Sequence, residues 1–241
     1  GTLGRFSILG AAPGDRLVLH ADDRLEGPGR GGRFCERLDA WWRSERGEAP
    51  PDPWPFAGGW FLYLGYELAG EVEPTLRLPP SPLPVVALAW RLHAALVVDH
   101  ATGRVAAFAE GPGEADALAE AFDRAVPLTD PPAPPSGAAV TEDAPERYLA
   151  ACRSALEHIA AGDVYQANLA RAWRAAIPGG ETAATLYQRL RHANPGAFAG
   201  AAMLPGFTLL SSSPERLVRV RGRRIDTRPI AGTRPRREGG D

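Results

Sequence analysis

The stretch from Leu209 to Arg236, LLSSSPERLVRVRGRRIDTRPIAGTRPR, restricts the fold more than any other part of the chain. Val218 and Val220 alternate with Arg219 and Arg221, Gly222 interrupts, and Ile225 and Thr227 alternate with Arg224, Asp226 and Arg228. Period-2 alternation on both sides of a glycine is the pattern of two half-buried strands joined by a turn. A three-residue loop centred on Arg223 places Glu215 opposite Ala231 at the open end of this hairpin, with Cβ atoms about 5 Å apart. A carboxyl group then faces a bare methyl.

The residues around Ala231 suit two roles. Pro229 and Pro235 fix φ on either side, Gly232 lets a ligand approach the backbone, and the amides of Gly232 and Thr233 are free to donate where no strand covers them. One reading is an anion seat. The other is a proline-bounded strand exit with an exposed arginine face, and local chemistry leaves both open.

The chain has 241 residues and is 44% hydrophobic, enough apolar surface for one large domain or two. A net charge of −2, with arginines dispersed among acids until the last hairpin, leaves no electrostatic footprint for nucleic acid. All 27 basic residues are arginine, which removes Schiff-base, P-loop and lysine-nucleophile chemistry. Cys35 and Cys152 fall on the apolar faces of expected helices, predicting free, buried thiols in a reducing compartment. With no secretory signal pattern and no apolar run of membrane-spanning length, a soluble cytoplasmic protein without membrane contact is expected. His20, His93, His100, His158 and His192 show no metal-ligand spacing. Ser211 to Ser213 lack the G-x-S-x-G context of a serine hydrolase.

In chain order, GRFSILGA and RLVLH read as two short strands separated by the turn residues Pro13, Gly14 and Asp15. Phe34, Leu38, Trp41 and Trp42 form the apolar face of a helix that stops at Gly47. Gly58 and Gly59 open a strand, Trp60 to Tyr66, whose continuous apolar run implies burial on both faces; the glycines mark close backbone packing or a bulge. Val85 to Val98 and Arg104 to Ala109 make a long hairpin, and a helix runs from Glu114 to about Ala125.

Residues 126 to 139 contain five prolines and no periodicity, the composition of a linker or domain boundary. A capping box then opens the next helix, with Asp143 as N-cap, Pro145 in the first turn and Glu146 three residues on. Its buried stripe is expected at Tyr148, Ala151, Cys152, Ala155 and Ile159, and Gly162 ends it. Val164 to Arg171 lead into a strand that puts Gln166 and Asn168 on one face with Gly162. A helix from Thr182 to His192 and a strand over 207–211 bring the chain to Ser211. The expected class is α+β, antiparallel sheets with packed helices. Its domains are an N-terminal unit over 1–125, a linker over 126–140 and a second unit over 141–241.

SSSPER, whose Glu215 lies sixteen residues before the Ala231 of PIAGTRPR, resembles the signature of the chorismate-utilising enzymes, anthranilate synthase component I and aminodeoxychorismate synthase component I. GDVYQANLARAW, from Gly162 to Trp173, and PFAGGWFLYLGYEL, from Pro55 to Leu68, resemble other segments of that family, so the likeness covers nearly the whole chain. It implies an anthranilate synthase component I-like fold, incomplete here, because a chain that opens on Gly1 and closes on Gly239-Gly240-Asp241 looks like a fragment.

The resemblance also implies a chemistry. In such enzymes chorismate binds with Mg²⁺, ammonia from a glutamine amidotransferase partner attacks the ring, and the 4-hydroxyl leaves. The role of general acid falls on Glu215, which calls for a partly desolvated site where the carboxyl keeps its proton near neutral pH. Gly232 and Thr233 match the chorismate-contacting pair. Some relatives carry lysine at the position of Ala231; with alanine there, direct attack by ammonia remains. Arg216 and Asn168 resemble the aminodeoxychorismate type, and Ala231 the anthranilate pattern. The Mg²⁺ ligands are expected beyond residue 241. A tryptophan pocket maps onto Leu3, Gly4, Arg5 and Phe6 with Ala197, Phe198 and Ala199. A non-catalytic binding or structural domain of the same fold is the alternative from another class.

Overall fold

The computed structural model describes residues 3–47, 54–126, 139–177, 179, 181–230 and 232. The chain divides into two compact units, one formed by residues 1–128 with 190–241 and the other by residues 129–189. The expected α+β class with antiparallel sheets is borne out.

The first unit is built on β1 (Phe6–His20), β2 (Leu25–Glu26), β3 (Gly59–Leu64), β4 (Val85–Asp99) and β5 (Arg104–Ala109), an antiparallel sheet in the order β2-β1-β4-β3 with β5 also on β4. The long β4 is the centre, pairing β3 along its first half and β5 along its second. Its run VVALAWRLHAALVVD is buried almost throughout, as expected of a strand covered on both faces. On one face α1 (Phe34–Glu45) seats Phe34 and Trp41 on Leu17, Ala87 and Ala89. On the other, Leu88 and Val85 meet Leu204, with Tyr63, Trp90 and Phe207 against them. Leu204 and Phe207 belong to a hairpin from the far end of the chain, β8 (Phe198–Leu204) and β9 (Phe207–Ser213), and the Tyr63 and Phe207 rings meet edge-on at 5.4 Å. Helices α2 (Ala69–Val72) and α3 (Glu114–Asp123) complete the N-terminal part. The α1 N-terminus is capped from a distance: the Glu71 carboxylate accepts the Phe34 and Cys35 amides at 2.8 and 3.0 Å.

The second unit holds β6 (Val140–Glu142) paired antiparallel with β7 (Trp173–Ala175), and α4 (Pro145–Ala161). Helix α5 spans Ala183–Ala193. Gly162 ends α4 in the left-handed conformation at φ 82°, as expected. The last pair, β10 (Arg219–Arg221) and β11 (Arg224–Asp226), is a three-pair ladder in the first unit.

Several expectations are corrected. The Pro13–Asp15 turn is a register shift inside one continuous strand, because pairing to β4 resumes at Arg16 and the irregularity is absorbed as a bulge. β3 is not buried on both faces: Phe61 and Tyr63 pack on one side, and on the other α1 covers Trp60 but leaves Leu62 and Leu64 about half exposed. Cys35 is exposed, at the first turn of α1 rather than on its inner face. Ala144, not Asp143, is the N-cap of α4; Asp143 instead accepts from the Ala172 amide at 3.1 Å and the Arg174 guanidinium at 2.8 Å. Of the predicted α4 stripe, only Tyr148, Cys152 and Ala155 are half-buried, and Ala151 and Ile159 are exposed. Residues 164–172 form no strand, so Gln166 and Asn168 share no sheet face. The proline-rich linker lies almost wholly outside the described residues. No described helix is long and apolar enough to cross a membrane.

Candidate functional site

Glu215 follows β9, and the hairpin expected to place it exists with a different register. Arg219 pairs Asp226, Val220 pairs Ile225 and Arg221 pairs Arg224, so the turn is the two residues Gly222 and Arg223. Gly222 has φ 56°, the first central position of a II′-type connection that glycine enters freely. A two-residue turn shifts every pairing by one position relative to a three-residue loop, so the expected facing of Glu215 and Ala231 does not arise from this ladder. Pairing stops at Arg219 and Asp226; beyond it the Thr227 hydroxyl donates to the Leu217 carbonyl at 3.0 Å. Asp226 takes guanidinium bonds from Arg219 and Arg224, both 2.9 Å, which hold its carboxyl below the usual range.

Glu215 itself is exposed. Ser213 fixes its backbone, the hydroxyl donating to the Glu215 carbonyl at 3.0 Å and accepting from its amide at 3.3 Å. Gly232 is exposed coil, and among the described residues no atom lies within 4 Å of where its side chain would begin. Ala231 and Thr233 lie outside the described residues. The Mg²⁺ implied by the family resemblance finds no ligand set here: among the described residues no group of three or more His, Cys, Asp or Glu side chains could hold a metal.

The two segments matched to a tryptophan pocket come together. A side-chain carbon at Gly4, which has φ 72°, would lie 3.6 Å from the Ala197 backbone. Phe198 and Ala199 continue into β8, half-buried, while Leu3 is exposed. The Phe6 and Trp54 rings lie 6.2 Å apart. Arg5 turns away into an ion pair, its Nε and Nη2 donating to Asp99 at 2.8 and 2.6 Å while its guanidinium covers the Phe6 ring.

Asp99 is 2% exposed, and the Arg5 hydrogen bonds, with the Ala101 amide and the Thr102 hydroxyl, hold its carboxyl far below the usual range against the opposing effect of burial. A depressed carboxylate contributes stability above its unfolded value of 3.8 and loses it as pH falls toward the folded value. Arg5→Met is therefore expected to lower the thermal midpoint at neutral pH and to weaken its dependence on pH below about 4. Parallel melting curves of both proteins from pH 7 to 3, keeping a constant offset, would contradict this.

A buried network escaped the sequence reading. Arg91, 4% exposed on β4, donates from Nε to Glu45 at 3.0 Å, from Nη1 to the Gly59 and Leu92 carbonyls at 3.0 and 3.2 Å, and from Nη2 to Glu110 at 2.8 and 2.6 Å. Its guanidinium stands 4.3 Å from the Trp60 ring centroid, and the Trp41 indole donates to Glu45 at 2.7 Å. Gly58, at φ 131°, is there because a Cβ would lie 2.5 Å from a Glu110 carboxylate oxygen that Arg91 has already fixed. The close approach is to a side chain rather than to backbone, and the positive φ itself favours glycine. The signal in the sequence was a single arginine inside the apolar run of β4.

Residues 4–240 match the family model described as chorismate binding enzyme. The chain is 33% identical over 261 residues to anthranilate synthase component 1 of Cereibacter sphaeroides, an alignment covering 97% of this chain and 52% of that protein. It is 31% identical over 264 residues to aminodeoxychorismate synthase of Streptomyces griseus, covering 98% of this chain and 35% of that protein. The chain thus spans about half, or less, of the length of these curated relatives. The crystal structure of anthranilate synthase component I from Streptococcus pneumoniae superposes with a TM-score of 0.72 over 90% of this chain and 52% of that one, at 19% identity, a likeness of fold.

Proposed function

The chain belongs to the chorismate-binding enzyme family, and on that premise we propose that the full-length protein aminates chorismate, giving 4-amino-4-deoxychorismate. The observation that carries the proposal is the setting of Glu215: the acid of the SSSPER motif stands outward after β9, sixteen residues before the alanine of PIAGTRPR. Ala231 offers no nucleophile, and no lysine exists in the chain to replace one. Ammonia, delivered by a glutamine amidotransferase, therefore attacks the substrate itself. The new C–N bond forms, the ring C–O bond breaks, and the proton of Glu215 leaves with the oxygen as water.

Arg216 and Asn168 support the aminodeoxychorismate product. Two observations favour anthranilate instead, the alanine at position 231, which is the anthranilate pattern, and the name of the Cereibacter sphaeroides relative. The products differ chemically, because aminodeoxychorismate keeps the enolpyruvyl group and anthranilate has lost it as pyruvate. Full-length protein given chorismate, Mg²⁺ and an ammonium salt is expected to consume chorismate without releasing pyruvate. Pyruvate in step with a fluorescent aromatic amine moves the assignment to the anthranilate reaction. No consumption, with ammonium in excess, overturns both and leaves a binding domain of this fold.

A further inference from the structure

We propose that Arg216 is a positioning residue that holds Glu215 outward by seating its own side chain on Phe198; this rests on the reading of Glu215 as the general acid. In extended backbone, neighbouring side chains point to opposite sides. After β9 that alternation is present: Glu215 is exposed, Arg216 half-buried and Leu217 87% exposed. The Arg216 guanidinium carbon lies 5.6 Å from the Phe198 ring centroid, and its Nε is buried with no hydrogen-bond partner among the described residues. Phe198 is the β8 residue paired with Ser213, so the cation rests on the strand beside the point where the Glu215 segment departs.

Adjacent contacts clamp the same place. The Ser212 hydroxyl donates to the Asn194 carbonyl. Gly196 packs beneath, where a Cβ would come 2.6 Å from the Ser213 carbonyl oxygen. Ser213 in turn bonds the Glu215 amide and carbonyl. These bonds hold backbone, not the Glu215 carboxylate. The direction of that carboxylate is set by which side of the segment faces Phe198, and Arg216 makes that choice through the attraction of a cation to an aromatic face. Releasing Arg216 lets the segment rotate, and a misplacement of about 1 Å at a reacting group costs on the order of 10²-fold.

The test is steady-state kinetics of the full-length protein with chorismate and ammonia. Arg216→Gln and Phe198→Leu are each expected to lower kcat by about 10- to 100-fold with KM for chorismate moving less than about twofold. Together they are expected to be no worse than either alone, since both remove one contact, and Arg216→Lys, which keeps a cation over the ring, falls between. In the Glu215→Gln background none of them lowers kcat further. Thermal midpoints measured alongside identify any variant that unfolds, and Arg216→Lys decides where Arg216→Gln does so. Additive losses, or a further drop in the Glu215→Gln background, overturn the proposal, for Arg216 then acts on the substrate itself. Full activity of Glu215→Gln alone overturns the general-acid reading first, and is seen before Arg216 is altered.

Discussion

Glu215→Gln in the full-length protein is expected to lower kcat by about 10²- to 10⁴-fold while KM for chorismate barely changes. Glutamine keeps the shape and hydrogen-bonding reach of the side chain and removes the transferable proton, so only a step that uses that proton is slowed. In the proposed reaction, direct attack by ammonia leaves departure of the ring hydroxyl as the step most dependent on the protein, because Ala231 supplies no covalent help. A general acid needs partial removal from water to hold its proton near neutral pH. Glu215 is exposed within this chain, which spans about half of the Cereibacter sphaeroides relative. The same substitution is thus expected to leave the melting of the 241-residue chain nearly untouched, within about 0.5 kcal/mol, as for other exposed positions. Undiminished kcat with continued ammonia-dependent turnover would make the segment a scaffold and place the acid elsewhere.

Arg91→Ala is expected to give the largest loss of stability, about 2–4 kcal/mol, read from the urea midpoint and from a fall in Tm of roughly 5–15 °C. Breaking a fully buried ion pair costs about 3–5 kcal/mol. The discount here comes from the partners: the Arg91 side chain is 5% exposed, but Glu45 and Glu110 are 40% and 38% exposed and can regain water. Against that discount stand two carbonyls, of Gly59 and Leu92, that lose their donor, and the lost cover over Trp60. Burial raises the Glu110 carboxyl, and hydrogen bonds from Arg91 and His93 more than offset it, leaving it below its ordinary 4.5. The pair therefore contributes above that value and fades as pH falls through the folded one, so the gap between wild type and Arg91→Ala is expected to narrow below about pH 4. Arg91→Lys recovers only part of the loss, because an ammonium cannot serve both glutamates and the carbonyls in the planar fork of a guanidinium. A difference that stays constant from pH 7 to 3 would assign the loss to packing alone.

Periodicity made most of the elements legible. The apolar face of α1, the helices α3 and α5, the β4–β5 hairpin and the glycine stop after α4 follow from spacing and punctuation within a dozen residues, and the structure has them. The α+β class and the family motifs were legible for the same reason, since SSSPER and PIAGTRPR are each an unbroken run of residues.

What a residue meets across the fold was not legible in this way. Pro13 to Asp15 carry turn chemistry, yet pairing with β4 on both sides holds the strand straight through a bulge. Asp143 has the side chain of an N-cap, yet Arg174 and the Ala172 amide, far along the chain, claim it. The last hairpin was foreseen and its register missed by one residue, because alternation fixes which residues are strands while the turn conformation of Gly222 fixes which ones pair. The Arg91 network and the seat of Arg216 on Phe198 join residues that only the sheet brings together. The sequence by itself determined the elements and the motif that carries the proposed acid, since both depend on neighbours along the chain. Tertiary structure decided register, capping and the partners of every buried charge, since those energies arise between segments whose meeting no local pattern encodes.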